Sequence, residues 1–282
     1  MSEVVTRFAP SPTGLLHPGH AFSALQAWKF VRENKGRFLL RIEDIDFTRS
    51  RPEYVEAIYE DLDWLGLSWE KPVRIQSEHT DDFQNTAATL HEMGLTYPCF
   101  CTRKEILAEI ERSGGAPHGC EGPLYPGICK QLSTDERVSR IESGENHAIR
   151  IDLDAALEIT GHELIWQDLI AGQQSAQPQQ LGDSVLVRKD IGTSYHLAVT
   201  TDDAHQEITH IIRGMDLYES THLHRVLQEL LGFPVPDYLH HDLILDDAGK
   251  RLAKRNESLT IRSIRESGVS AEEFRKSLGF EF

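Results

Sequence analysis

The chain is 282 residues long, enough to bury a substantial core and to form two domains, and its 39% apolar and 26% charged residues place it among ordinary globular proteins rather than disordered ones. No apolar run reaches membrane-spanning length and the first residues lack a basic segment followed by an apolar core, so neither a membrane span nor a secretion signal is expected and a cytoplasmic location is. A formal net charge of −16 excludes a body that is basic all over, so a polyanionic partner has to be met by a local basic stretch.

Residues 4–9 read as a strand. They run into Arg7-Phe8-Ala9-Pro10-Ser11-Pro12-Thr13-Gly14-Leu15-Leu16-His17-Pro18-Gly19-His20, which sets two imidazoles around a Pro-Gly pair just before a helix-like run. Residues 21–31 carry helical apolar spacing at Phe22, Leu25, Trp28 and Phe30. Strand, tight loop and helix in that order suit nucleoside triphosphate. Gly19 lets a base approach the backbone, the helix N-terminus offers free N–H groups to phosphate, and His17 and His20 can donate to its oxygens. Taken alone, an HxGH tetrapeptide is more often a pair of surface or capping histidines.

Residues 37–42 read as a second strand and 54–65 as an amphipathic helix, whose acidic residues between 53 and 63 read as a solvated face. This alternation predicts a parallel sheet. From about residue 97 to 180 the chain turns to Gly, Pro, Cys and Gln-rich loops, with strand-like pieces such as 148–151, and reads as an insertion. Sheet-like runs resume at 184–188 and 208–213, and 221–231 reads as a helix. Lys250, Arg251, Lys254, Arg255, Arg262 and Arg265 form a basic stretch opposed only by Glu257, and the residues after about 252 look helical.

All four cysteines, Cys99, Cys101, Cys120 and Cys129, fall in one short region, a pattern that a cytosolic protein uses for metal more often than for disulfides. Three thiolates favour a closed, tetrahedral structural zinc. Free buried thiols are the plainer alternative.

The segment from Arg7 to His20 resembles the first, HIGH-type signature of class I aminoacyl-tRNA synthetases of the glutamyl type. Leu39-Leu40-Arg41-Ile42-Glu43-Asp44-Ile45-Asp46 resembles the family's second strand and its acidic end. Tyr195-His196-Leu197-Ala198 and Ile212-Arg213-Gly214-Met215-Asp216-Leu217 resemble its later strands, and residues 250–255 its KMSKS-type loop, with Ala253 where the family commonly has Ser. The resemblance covers nearly the whole chain.

It implies an α/β fold: a Rossmann-type catalytic domain in two halves, residues 1–95 and 184–245, split by an acceptor-stem-binding-like insertion with a zinc site at 96–183. Residues 246–282 would supply the KMSKS-type loop and a small helical stem-contact piece, with no anticodon-binding domain. It also implies site roles. His17, His20 and Lys254 would be catalytic, the histidines on the α-phosphate and the lysine on the departing pyrophosphate, and Gly19 and Arg251 would complete an ATP site with magnesium. Arg7, Phe8, Ala9, Pro10, Ser11, Glu43, Tyr195 and Arg213 would bind glutamate. Glu43 suits the α-ammonium, and the guanidinium forks of Arg7 and Arg213 suit a side-chain carboxylate, which favours glutamate over glutamine.

Cys99, Cys101, Tyr125 and Cys129 resemble a zinc site of three cysteines and one tyrosine in a shortened relative, with Cys120 and His118 as competitors for the fourth position. Full-length relatives continue into a large helical anticodon-binding region and carry Asn four residues after the pocket tyrosine, where this chain has Val199. The resemblance is therefore to a shortened branch whose members activate glutamate without tRNA and attach it to queuosine at the wobble position of tRNA(Asp). The expected partners are L-glutamate, ATP and the queuosine-bearing anticodon arm, and the expected state is a monomer. The alternatives are a truncated enzyme charging tRNA(Glu) and a non-catalytic synthetase-like tRNA-binding protein.

Overall fold

The computed structural model describes residues 3–112, 118–119, 122–244 and 259–282. The KMSKS-type stretch with Lys250, Arg251, Lys254 and Arg255 lies outside the described residues, as does Cys120, and of His118 only the backbone is described.

Strand β1 (Val5–Phe8) leads into helix α1 (Pro18–Asn34), followed by β2 (Arg37–Ile42), α2 (Pro52–Trp64) and β3 (Glu70–Ile75). Then come α3 (Thr80–Glu92), β4 (Thr96–Cys99), α4 (Arg103–Arg112), the short pair β5 (His118–Gly119) and β6 (Gly122–Pro123), α5 (Thr134–Glu142), β7 (Ala148–Ile151) and α6 (Leu153–Thr160). The chain continues with β8 (Ile165–Asp168), β9 (Gly172–Ser175), β10 (Val185–Val187), α7 (Tyr195–His205), β11 (His210–Gly214), α8 (Ser220–Leu231), β12 (Asp237–His241), α9 (Ile261–Glu266) and α10 (Ala271–Ser277).

Strands β1, β2 and β3 form a parallel sheet, and β11, β12 and β8 form a second one to which β9 adds antiparallel. The two meet edge to edge. The Thr209 amide donates to the Val5 carbonyl at 3.0 Å, and the Thr6 hydroxyl donates to the His210 carbonyl at 2.6 Å. Read across this seam, the order is β3-β2-β1-β11-β12-β8-β9. That is a doubly wound nucleotide-binding layout, whose switch point lies between β1 and β11. Residues 37–42, Arg-Phe-Leu-Leu-Arg-Ile, are buried at every position but the first, as a strand covered on both faces must be. Ala21, Ala24 and Ala27 of α1 are fully buried, and their small side chains let this helix lie close on the sheet.

Five expectations change. The helix α1 starts at Pro18, so the histidine pair straddles its first turn instead of preceding it. Residues 195–198 open a helix, not a strand: the Ser194 hydroxyl caps it, and residues 196–203 are all buried, so no polar stripe marks the period. Residues 185–187 do form a strand, but it pairs antiparallel with β7, which also pairs antiparallel with β4, in a separate three-stranded sheet. Strand β8, inside the segment assigned to the insertion by composition, belongs to the parallel sheet instead. Finally, the acidic face of α2 is not wholly solvated, because Asp61 is fully buried.

The C-terminal helices join the main core. Ile261, Ile264, Phe274 and Phe280 pack in one cluster with Leu25, Ile58 and Leu62, and the Ile261 amide donates to the Leu16 carbonyl at 2.9 Å. Arg262 and Arg265 are ion-paired rather than unopposed, both reaching Glu60 at 3.5 and 3.1 Å. Among the described residues no helix is long and apolar enough to cross a membrane.

Candidate active site

A cavity of about 450 Å³ opens at the carboxyl ends of β1, β2 and β11. Its lining includes every described residue assigned to glutamate or ATP from sequence: Arg7, Phe8, Ala9, Pro10, Ser11, His17, Gly19, His20, Glu43, Tyr195 and Arg213. The split sheet places β1 beside β11, which is what brings residues two hundred positions apart to one wall.

The histidine pair is fixed by the start of α1. His17 is the N-cap: its Nδ1 accepts from the Gly19 amide at 3.1 Å, while the His17 amide donates to His20 Nδ1 at 3.2 Å. The rings stack with centroids 3.7 Å apart. Both Nδ1 atoms act as acceptors, so in the neutral rings the proton sits on Nε2, a donor suited to phosphate oxygen at a helix N-terminus. Capping and phosphate binding are thus compatible uses of one pair. A Cβ at Gly19 would lie 3.0 Å from Cε1 of His17, so a side chain there would press the first ring out of its stack.

Beneath the cavity lies a buried ionic layer. Arg7 reaches Asp203 of α7 through Nε at 2.8 Å and Nη2 at 3.1 Å, and Arg41 of β2 reaches the same carboxylate at 2.8 Å and Glu43 at 3.2 Å. Burial alone would raise the Asp203 carboxyl, but Arg7 and Arg41 outweigh it and hold it below the usual carboxylate range. Burial raises Glu43 despite the attraction of Arg41 and Arg7. The Nε–Nη2 edge of Arg7 is therefore occupied by Asp203. Both hydrogens of Nη1 and the second hydrogen of Nη2 lie outside these two bonds, so the other edge of the guanidinium can still face a substrate carboxylate.

Arg213 is held differently. Its Nε donates to His240 Nε2 at 3.1 Å, Nη1 to the Tyr195 hydroxyl at 3.2 Å and Nη2 to the Thr221 hydroxyl at 2.6 Å. Three of its five hydrogens are used, which leaves one on each Nη for a bidentate grip. Burial keeps the Tyr195 phenol above its ordinary value even though Arg213 opposes the shift, so this hydroxyl retains a proton to donate.

Ser23, Ile212, Gly214, Asp216, Leu217, His241, Leu243 and Ile244 also line the cavity; Ile212, Gly214, Asp216 and Leu217 lie in the motif around Arg213 but carry no site role from sequence, and Ser23, His241, Leu243, Ile244 and Asp203 behind the cavity belong to no motif. Asp203 did leave a trace. Arginines in two apolar strands need buried acids opposite them, and the Asp202-Asp203 pair sits in an otherwise uncharged run.

The cysteine cluster lies apart, at the end of β4 and in the turn before α5. The Sγ atoms of Cys99, Cys101 and Cys129 lie within 4.8 Å of one another, with Cys101 and Cys129 3.4 Å apart. Sulfurs around a tetrahedral zinc with bonds of about 2.3 Å are separated by about 3.8 Å. The Tyr125 hydroxyl stands 3.5 Å from Cys99 Sγ and 3.6 Å from Cys101 Sγ, and accepts from the Cys129 amide at 2.8 Å. Burial pushes the Cys101 thiol up to about 12. The donor set and spacing fit zinc.

A doubly wound sheet with paired histidines at its first helix and an acid-ringed arginine pocket at the switch point defines a nucleotide-dependent ligase of the class I synthetase type. The catalytic-domain model of class I tRNA synthetases for glutamate and glutamine matches residues 3–279, and the chain belongs to this family. Similar curated proteins include the glutamyl-Q tRNA(Asp) synthetase of Rhodobacter capsulatus, 43% identical over 98% of this chain and 100% of that one. That of Symbiobacterium thermophilum is 42% identical over 94% and 82%. The glutamate–tRNA ligase of Aquifex aeolicus is 40% identical over 96% of this chain and 56% of its own. Among solved structures, a glutamate tRNA ligase from Elizabethkingia meningosepticum, in complex with its amino acid, superposes with a TM-score of 0.76 at 32% identity, covering 90% of this chain and 52% of that one.

Proposed function

We propose that the protein activates L-glutamate with ATP in the absence of tRNA and transfers it to the queuosine base at the wobble position of tRNA(Asp). The observation that carries this reading is the convergence of both histidines, Glu43, Tyr195, Arg7 and Arg213 on one cavity. The similarity to glutamyl-Q tRNA(Asp) synthetases over nearly the full length of both chains supports the choice of acceptor.

In the first step a glutamate α-carboxylate oxygen attacks the α-phosphorus, the bond to the β-phosphate breaks and magnesium-bound pyrophosphate leaves. Glu43 holds the α-ammonium. Arg213 grips the side-chain carboxylate through both Nη atoms, Arg7 adds Nη1 and Tyr195 donates its hydroxyl, with Phe8, Ala9, Pro10 and Ser11 forming the wall. His17 and His20 donate from Nε2 to phosphate oxygens, beside Gly19 and the positive end of α1. Arg251 and Lys254 complete the ATP site. In the second step a hydroxyl of the queuosine cyclopentenediol attacks the anhydride carbonyl, AMP leaves and the hydroxyl proton is lost.

The protein acts as a monomer. The part of residues 96–183 outside β8 and β9, together with the C-terminal piece 246–282, receives the anticodon stem-loop, gripped mainly through its phosphates. Cys99, Cys101, Cys129 and Tyr125 hold one structural zinc.

Incubation with labelled glutamate, ATP and magnesium, in the presence of tRNA(Asp) with queuosine, tRNA(Asp) without it, or tRNA(Glu), tests the reading. Label only on the queuosine-bearing tRNA is expected. Label on tRNA(Glu) would make this a charging enzyme, and absence of glutamate-dependent pyrophosphate exchange would end the catalytic reading. Lys254→Ala should keep glutamate affinity and slow adenylate formation by about 10²-fold, because the charge acts on the transition state.

A further inference from the structure

Behind Arg213 stands a second row of side chains to which the reaction above gives no part. Asp168, at the end of β8 and buried, accepts from the Ile170 and Ala171 amides, each at 2.8 Å, through Oδ1. Its Oδ2 lies 2.7 Å from Nδ1 of the buried His240 and 3.3 Å from the His240 amide. Burial would raise Asp168, but the Ala171 amide, His240 and the Ile170 amide outweigh it and keep the carboxyl below its usual range. An ionised Asp168 accepts the Nδ1 proton of His240, so Nε2 of the neutral ring presents a lone pair, and that lone pair receives Nε–H of Arg213 at 3.1 Å. Burial and Arg213 push the imidazolium down to about 4, so the ring is neutral at physiological pH.

The contrast with Arg7 gives this arrangement its meaning. Arg7 is clasped by the Asp203 carboxylate, whereas among the described residues the hydrogen bonds of Arg213 all end on neutral groups: His240, Tyr195 and Thr221. A carboxylate placed directly on Arg213 would hold the guanidinium equally well and cancel the charge that an acidic substrate needs. An imidazole between the two orients the arginine and leaves its charge uncompensated toward the cavity. We propose that Asp168 and His240 are positioning residues that fix Arg213 as an uncompensated cation, and that this pair sets the preference for an acidic over an amide side chain. The proposal rests on the assignment of the cavity to glutamate.

Calorimetric binding of glutamate and of glutamine to the full-length protein, together with pyrophosphate-exchange KM values for glutamate and ATP, tests it. Asp168→Asn offers an amide N–H to Nδ1 and favours the tautomer with hydrogen on Nε2, facing another donor. Glutamate affinity should fall by about tenfold or more, with the ATP KM within about twofold and the glutamate-over-glutamine ratio reduced. His240→Gln, which keeps a neutral acceptor near Nε2, should retain most of the affinity that His240→Leu loses. Should Asp168→Asn not fold, the Gln and Leu pair decides alone. Unchanged glutamate affinity in folded Asp168→Asn, equal losses in the Gln and Leu variants, or parallel rises in both KM values would overturn the positioning role. A wild-type protein that binds no glutamate would instead overturn the functional reading on which it stands.

Discussion

The arginine pocket and the cysteine cluster are both buried polar sites, yet they are completed in opposite ways. In the pocket each charge meets an opposite charge or an oriented dipole within the chain: Arg7 and Arg41 share Asp203, and Arg213 leans on His240 and Thr221. In the cluster three thiols and a phenol meet chiefly one another, at 3.4 to 3.6 Å, and burial disfavours the thiolate of Cys101. The first site is pre-organised by the protein alone. The second has the donors and spacing that a cation at its centre would complete. Buried polar groups are kept either by internal partners or by a ligand, and the pocket shows the first solution while the donor set of the cluster suits the second.

The largest expected effect breaks the internal solution. Asp203→Ala leaves Arg7 and Arg41 buried with the shared counter-charge gone, and removal of one partner from such a layer costs about 3–5 kcal/mol. Denaturant unfolding should show that loss, and Asp203→Asn, which keeps the shape and an acceptor, should lose less. Equal stability of wild type and the Ala variant would mean that the layer is not the support of the pocket.

A carboxylate with neither kind of support sharpens the comparison. Asp61 of α2 is fully buried, with no hydrogen-bond partner at either oxygen among the described residues, and Arg265 of α9 is 3.9 Å away. Burial pushes its carboxyl up to about 6 from 3.8; Arg265 and Arg262 pull it down and Glu60 pushes it up. The group's contribution to stability is therefore complete below pH about 3.8 and is lost as pH rises through about 6. A shift of this size corresponds to about 3 kcal/mol. Asp61→Asn should unfold at higher denaturant than wild type at pH 7.5, with the gap closing toward pH 4. A gap that is constant with pH would show that Asp61 does not titrate in this range.

These three sites also mark what could be read from the residues alone. The strand–loop–helix around His17 and the strand at 37–42 announce themselves because period and punctuation agree over short distances. The pocket residues were legible through their motifs, and the cysteine cluster through spacing. Asp168 and His240 were not, since each works by pairing with a residue far away in sequence, and Asp203 left only the indirect trace that arginines in apolar strands require an acid opposite them. Helix α7 carries no helical signature in its residues for a related reason. Burial on all sides erases the stripe by which a helix is recognised. The place of β8 in the parallel sheet is not legible in its residues because pairing partners, unlike apolar runs, leave no local mark.

The smallest expected effect concerns the ligand-completed solution. The Tyr125 hydroxyl faces both Cys99 and Cys101 and also accepts from the Cys129 amide, while the Arg150 guanidinium lies 3.8 Å from the ring centroid. Tyr125→Phe removes one oxygen and leaves the ring, its cation–π contact and the three thiols in place. Competition with a chromophoric chelator should show zinc affinity falling by about 10–100-fold, the range seen when an oxygen that ligates or orients a metal site is removed. Cys101→Ser should lose more, because a thiolate is the stronger zinc donor. In both variants hydrogen exchange should speed up in β4 and in the turn carrying Cys129, while glutamate affinity stays within about twofold, since the pocket draws on none of these groups. Loss of glutamate affinity on zinc removal would show that the two solutions are coupled. An unchanged zinc affinity in Tyr125→Phe would move the fourth donor elsewhere, with His118 and Cys120 next to be substituted.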